Sequence, residues 1–364
     1  MVKTVNWYKL LVLPLILVYA FVLVRTAWIC DDAYITFRSV ENFIHGYGLV
    51  FNVGERVQTY THPLWLFIMS GLNAITQRIG MLNPWAQMYY VDVYLSMVTS
   101  LGVVLLLAFG IARSVRGAAL SVAVLVLSKS FIDYSTSGLE NPLTHLILTA
   151  YCLVLFHSKQ VSDKKVLLLS FLACLGVLNR MDILLLFIPS LVYLIWQSEK
   201  RKRAVFLISL GFLPFILWEL FSVFYYGTPF PNTAYAKINT GINQIALLRQ
   251  GLYYYANTLR IDPITLSAIL ASIVLCFYQK RRNPQMIATG ISLYMLYILY
   301  IGGDFMSGRF FSAPVVAAAI MLSIHDFPSK KLFYALSVIT LVLGLASPNS
   351  PVKNLQNYGE EYFK

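Results

Sequence analysis

The chain has 364 residues, of which 58% are hydrophobic and 12% charged, and a mean hydropathy of +0.68; an average soluble domain is about one quarter charged. A soluble fold has no place for this much apolar surface, and the net charge of +12 does not signal nucleic acid, because the basic residues fall in short clusters between apolar runs. The four dispersed cysteines, Cys30, Cys152, Cys174 and Cys276, exclude a disulfide framework.

The expected class is an all-α membrane protein of about 11 transmembrane helices. The first span is placed near residues 8–29 and is read as retained, since it lacks a small-x-small cleavage site before Asp31-Asp32. An outer loop follows over 30–87. Within it Ala33, Phe37, Val40 and Ile44 recur with the spacing of an interfacial amphipathic helix, ended by Gly46 and Gly48. The apolar stretch Pro63 to Ile79 carries Asn73, Thr76, Gln77 and Arg78 and is read as a helix lying at the outer leaflet. Counting it as a crossing would put Arg113 and Arg116 outside.

Further spans are placed near 88–112, 117–133, 142–157, 165–179, 183–197 and 204–224, then, after a second outer loop over 225–262, near 263–278, 285–301, 310–324 and 332–346. Residues 1–346 thus form one membrane domain and 347–364 a short extracytoplasmic tail. The clusters Lys3/Lys9, Arg113/Arg116, Lys159/Lys164/Lys165, Lys200 to Arg203, Lys280 to Arg282 and Lys330/Lys331 mark the cytoplasmic side, so the N-terminus lies inside.

Acidic residues gather at the opposite ends of the spans: Asp31 and Asp32, Glu140, Asp182 and Asp304, with Arg180 and Arg309 at the same level. Carboxylates distant in sequence but brought to one level of a bundle suggest a shared outer cavity, and the arginines suit an anionic group such as a phosphate. Span ends near water also tolerate charge with no further role. For Asp31-Asp32 three readings stand: a general base poised by its neighbour, metal ligands with His45 and His62 in the same loop, or ordinary solvated carboxylates. Lys129 is expected to snorkel at the outer end of its span, and His145 to be a packed histidine.

The segments Asp31-Asp32-Ala33-Tyr34-Ile35, Gly48-Leu49-Val50-Phe51-Asn52, Gly54-Glu55-Arg56-Val57, Tyr60-Thr61-His62-Pro63-Leu64-Trp65, Thr136-Ser137-Gly138-Leu139-Glu140, Tyr226-Gly227-Thr228-Pro229-Phe230-Pro231-Asn232 through Lys237, and Gly302-Gly303-Asp304-Phe305-Met306 with Gly308-Arg309-Phe310 resemble, in this order, the type C membrane glycosyltransferases of the arabinofuranosyltransferase-like branch. The resemblance implies an inverting transferase at the outer face of the bacterial cytoplasmic (inner) membrane. Its donor would be a polyprenyl-phosphate-linked sugar and its acceptor a cell-envelope glycan or a lipid-linked molecule. It implies Asp31 as the base, with Asp32 as neighbour or alternate. Arg180, Lys237, Arg309, Glu140, Asp182, Asp304, Tyr60, His62 and Asn232 would bind donor phosphate and substrate. No cofactor is implied beyond a divalent metal ion in some members.

Three departures stand out. Val53, Gln58 and Thr59 replace the usual residues of the first-loop motif, Arg180-Met181-Asp182-Ile183 lacks the proline common after that arginine, and the sequence ends at Lys364 where relatives commonly continue into a soluble outer domain. Two other functions share the composition: a transporter or flippase for a lipid-linked glycan, and a non-catalytic assembly subunit. The first would call for ionisable groups at mid-membrane and internal repeats.

Overall fold

A computed structural model of the chain describes residues 7–80, 83–157, 160–238, 241–325, 327 and 329–362. Among these the regular structure is helical throughout, with no strand. The helices are α1 (Leu13–Arg25), α2 (Asp31–Ile44), α3 (Pro63–Ile79), α4 (Pro84–Leu105), α5 (Val115–Leu127), α6 (Lys129–Asp133), α7 (Asn141–His157), α8 (Asp163–Asn179), α9 (Leu184–Gln197), α10 (Arg201–Gly211), α11 (Leu213–Tyr226), α12 (Asn232–Ile238), α13 (Gln244–Ile261), α14 (Pro263–Tyr278), α15 (Arg282–Ile301), α16 (Ser312–Ser323), α17 (Lys330–Ala346), α18 (Pro351–Asn354) and α19 (Tyr358–Tyr362).

Local chemistry sets many of these boundaries. Proline stands in the first turn of α1, α3, α11 and α14, where its missing N–H is not needed. The side chains of Ser114, Ser128, Ser162 and Ser329 accept backbone N–H groups at the starts of α5, α6, α8 and α17. Gly227 and Gly302 close α11 and α15 in the left-handed conformation.

Each of the eleven expected spans coincides with a helix or a broken pair of helices. Among the described residues, two helices suffice by length and composition to cross a membrane, Ala86–Ile111 and Arg282–Ile301, or up to four if each bent pair is one span. The bends are 50° between α10 and α11 and 107° between α13 and α14. Five other apolar helices have 10–17 residues, short of the roughly 20 that a hydrocarbon core requires. The second outer loop, expected as a loop over 225–262, is largely helical, holding α12 and α13.

The core is organised around α16, every residue of which is buried. Its run Ala317-Ala318-Ala319 lets α5, α7 and α14 approach closely. Helix α15 reaches α9 just as closely at Gly290, where an added Cβ would lie 2.5 Å from the Leu186 carbonyl oxygen. The segment 30–87 packs as a second layer at one end: α2 buries Ala33, Thr36, Phe37, Ser39 and Val40 against α3, which in turn packs on α4 and α8.

Candidate active site

At that end of the bundle Glu140, immediately before α7, is 1% exposed and forms the hub of a buried ion cluster. Its Oε1 accepts from Arg180 Nη1 at 3.2 Å and from Arg309 Nη2 at 3.4 Å. Its Oε2 lies 3.4 Å from His62 Nδ1. Arg180 places Nε and Nη2 on the two oxygens of Asp182, at 2.8 and 2.9 Å, and its guanidinium carbon lies 4.6 Å from the centre of the Phe310 ring. Asp182 also accepts from the Tyr294 hydroxyl at 3.0 Å, and Arg309 Nη1 reaches Asp304 at 3.4 Å.

Burial alone would push the Glu140 carboxyl up, but Arg309, His62 and Arg180 outweigh it and hold the group down at about 2. His62 is kept below its usual range by burial, against the pull of Glu140, so it is neutral. His62 Nε2 meets the Thr36 hydroxyl, 2.8 Å away on α2.

The same turn of chain connects Asp31-Asp32 to the cluster. Trp28 Nε1 donates to the Asp133 carbonyl at 2.7 Å, and the Cys30 N–H to the Ser137 carbonyl at 2.9 Å, so residues 28–30 lie along the segment leading to Glu140. Gly138 is required there. Its φ is +80°, and an added Cβ would lie 2.7 Å from Ala33 Cβ and 2.8 Å from Ile29 Cγ2. Asp31 opens α2, exposed, and its Oδ1 accepts from the Asp32 N–H at 3.0 Å; Asp32 is half-buried. Solvent therefore reaches this pair, and negative charge in the first turn of a helix is favoured.

Of the residues expected to share a site, Glu140, Arg180, Asp182, Asp304, Arg309 and His62 form one connected network. The forks of the two arginines are largely taken by Asp182, Glu140 and Asp304. Arg309 Nε is the exception, buried without an acceptor.

Tyr60 and Asn232 belong to a second set that laces the segments 30–87 and 225–262 together. The Tyr60 hydroxyl meets that of Tyr226 at 2.8 Å, and the Asn232 N–H donates to the Gln58 carbonyl at 3.1 Å, while the Asn232 side chain is exposed. Gln58, a departure from the motif, is buried and accepts from Ser222. Lys237 is on α12, but its side chain lies outside the described residues. His45 turns back to Glu41 on its own helix and His62 to Thr36 and Glu140, so the two histidines do not meet. Among the described residues no three His, Cys, Asp or Glu groups could hold one metal ion.

Lys129 also differs from expectation. It is 3% exposed and bonds Asp133 one turn on at 3.1 Å, because the chain breaks at Ser128 and α6 turns into the bundle instead of running out to water. Sequence reading missed Thr36, Tyr294 and Phe310 as partners of the cluster. For Phe310 a signal existed, since it adjoins Arg309 in its motif.

A family profile described as dolichyl-phosphate-mannose-protein mannosyltransferase matches residues 63–223. The terminal beta-(1->2)-arabinofuranosyltransferase of Mycobacterium tuberculosis is 28% identical over 334 residues, covering 79% of this chain and 51% of that protein. The protein of the same name from Corynebacterium glutamicum is 26% identical, covering 82% of this chain and 48% of its own length. The chain therefore spans about half the length of the curated relatives it matches. The crystal structure of ArnT from Cupriavidus metallidurans bound to undecaprenyl phosphate shares the fold, with a TM-score of 0.55 at 14% identity over 94% of this chain and 64% of that one. These likenesses in sequence and fold bear out the resemblance to the type C membrane glycosyltransferases, in the arabinofuranosyltransferase-like branch, that the loop motifs carry.

Proposed function

We propose that the chain is an inverting glycosyltransferase of the bacterial cytoplasmic membrane. It moves a sugar from a polyprenyl-phosphate donor to a glycan or lipid-linked acceptor of the cell envelope, with its site on the extracytoplasmic face. The observation that carries this reading is the connected network Thr36–His62–Glu140–Arg309, which sets a fixed, buried charge cluster beside the helix that begins with Asp31-Asp32.

In this reading the solvent-reached carboxylate of Asp31 takes the proton from the acceptor hydroxyl. The freed oxygen attacks the anomeric carbon, the bond from that carbon to the phosphate oxygen breaks, and the polyprenyl phosphate leaves with the electron pair. Arg309 Nε, which lacks an acceptor, donates to a phosphate oxygen as negative charge develops there. Glu140 takes no proton. Held ionised by three cationic or donor groups, it fixes the orientation of both arginines and of His62.

Two findings add weight. The curated relatives are named arabinofuranosyltransferases, and the ArnT structure holds an undecaprenyl phosphate. The sugar is read as a pentose on the first of these and the lipid phosphate on the second.

The test uses purified full-length protein in nanodiscs with a panel of polyprenyl-phosphate pentoses and hexoses. Turnover is expected with at least one donor, and the Arg309→Lys variant is expected to lower kcat because a single ammonium cannot keep Asp304 and Glu140 and also meet the phosphate as its charge develops. Absence of turnover with every donor would overturn the reading.

A further inference from the structure

Ser307 lies between Asp304 and Arg309 in the loop that follows α15, and each of its polar groups is engaged. Its carbonyl accepts from the Tyr134 hydroxyl at 2.9 Å, and its hydroxyl from Asn257 Nδ2 at 2.8 Å. Its N–H donates to the hydroxyl oxygen of Tyr358 at 3.1 Å. Tyr358 comes from the segment after α17 and is 7% exposed. Its ring stacks on Trp28, with centroids 4.8 Å apart and planes 17° from parallel, and it tilts against Tyr134 at 6.2 Å. Lys129 Nζ is 5.9 Å from the ring centre.

One side chain thus touches both flanks of the candidate site: Trp28, shortly before Asp31, and Ser307, shortly before Arg309. The two flanks come from opposite ends of the sequence. Neither Asp31 nor Arg309 contacts Tyr358 in any bond described above, so its influence would pass through the backbone at 307 and the indole at 28.

We propose that Tyr358 is a positioning residue, a clasp that sets the loop bearing Asp304 and Arg309 against the start of the helix bearing Asp31. The ring holds the Trp28 side and the hydroxyl holds the Ser307 amide, so the two functions separate by substitution. The catalytic consequence rests on the transferase reading; the mechanical one does not.

Amide hydrogen exchange of full-length protein tests the clasp without any substrate. Tyr358→Phe keeps the ring and removes the acceptor. It is expected to speed exchange in peptides covering 302–311 by about five- to tenfold, the factor set by one lost hydrogen bond. Peptides covering 26–32 and α16 should keep their wild-type rates. Tyr358→Ala should speed 26–32 as well. Wild-type rates at 302–311 in the Phe variant would overturn the proposal, as would equal acceleration in α16, which signals general loosening.

Where wild-type protein transfers sugar, Tyr358→Phe should lower kcat by about fivefold with donor KM unchanged, because misplacing aligned groups costs rate more than binding. An unchanged kcat beside accelerated exchange would overturn the catalytic consequence. If wild-type protein transfers nothing, the transferase reading falls and the exchange result still decides the clasp.

Discussion

Helix α8 begins at Asp163 and ends next to Arg180, about 25 Å away at the rise of an α-helix, and an ion pair stands at each end. Arg203 meets Asp163 with side chains 58% and 53% exposed. Arg180 meets Glu140 with side chains 11% and 2% exposed. The residue types are alike and the physics is opposite. The first pair is screened by solvent and can part at little cost. The second is closed off from solvent, so loss of one partner leaves the remaining charges of the cluster unbalanced with no water to compensate. The difference teaches that charge at a helix end is locked into a fixed network only where tertiary structure takes away its water, and that the basic clusters and the acidic ends, which look equivalent along the sequence, are not.

Removing the hub should have the largest effect. Glu140→Ala leaves Arg180 and Arg309 without a shared partner and should destabilise the protein by about 3–5 kcal/mol, measured by thermal or denaturant unfolding in a defined detergent. Stability within 1 kcal/mol of wild type, to order of magnitude, would make the cluster equivalent to the exposed pair and break the comparison.

Next comes the approach that seats α2 beside the cluster. Gly138→Ala meets both a positive φ and the atoms of Ala33 and Ile29, and should cost about 1–3 kcal/mol. An exposed glycine with a positive φ and nothing within 4 Å, such as Gly54, is the control, with a penalty from backbone alone.

The comparison also has a pH signature. Glu140 is depressed from 4.5 to about 2, so its contribution is fully present above the higher value and is lost as pH falls through the lower. His62 is buried neutral with its pKa lowered from 6.5, so the unfolded chain takes up the proton first and stability falls as pH drops below that value. Unfolding followed from neutral to acid pH should show both slopes. Glu140→Gln should abolish the second and His62→Asn the first. A variant that kept the wild-type slope would sink the assignment for that residue.

The smallest effect belongs to the exposed pair: Arg203→Ala should change stability by about 0–1 kcal/mol and lose even that in high salt.

Hydropathy was enough to locate the helices of the eleven apolar runs, because such runs between basic clusters are a local property, and the period of Ala33, Phe37 and Val40 was enough to place α2; α12 and α13, in a stretch with no continuous apolar run, were missed. The membership of the ion cluster was also legible, since Glu140, Arg180, Asp182, Asp304 and Arg309 all lie where apolar runs stop. The pairing within the cluster was not. That Arg180 is spent on Asp182 and Glu140, or that Arg309 Nε is buried without an acceptor, depends on how α7, α8 and α16 pack. Lys129 and Asp133 show the limit from the other side. Their i, i+4 spacing was visible, but the break at Ser128 that turns the pair inward is a tertiary event. Gln58 stood out as a departure from a motif and proved to be a strut that bonds Ser222 and Asn232.

The central claim is that the helix opened by Asp31-Asp32 and the buried Glu140 cluster form one site for sugar transfer, and it is tested most directly by single-turnover transfer from the best polyprenyl-phosphate donor, comparing wild type with Asp31→Asn and Asp32→Asn. Asp31→Asn should slow transfer by about 10²–10⁴-fold, the usual contribution of a general base, with stability lowered by no more than about 1 kcal/mol because the side chain is exposed. Wild-type transfer rates in both variants would contradict the account.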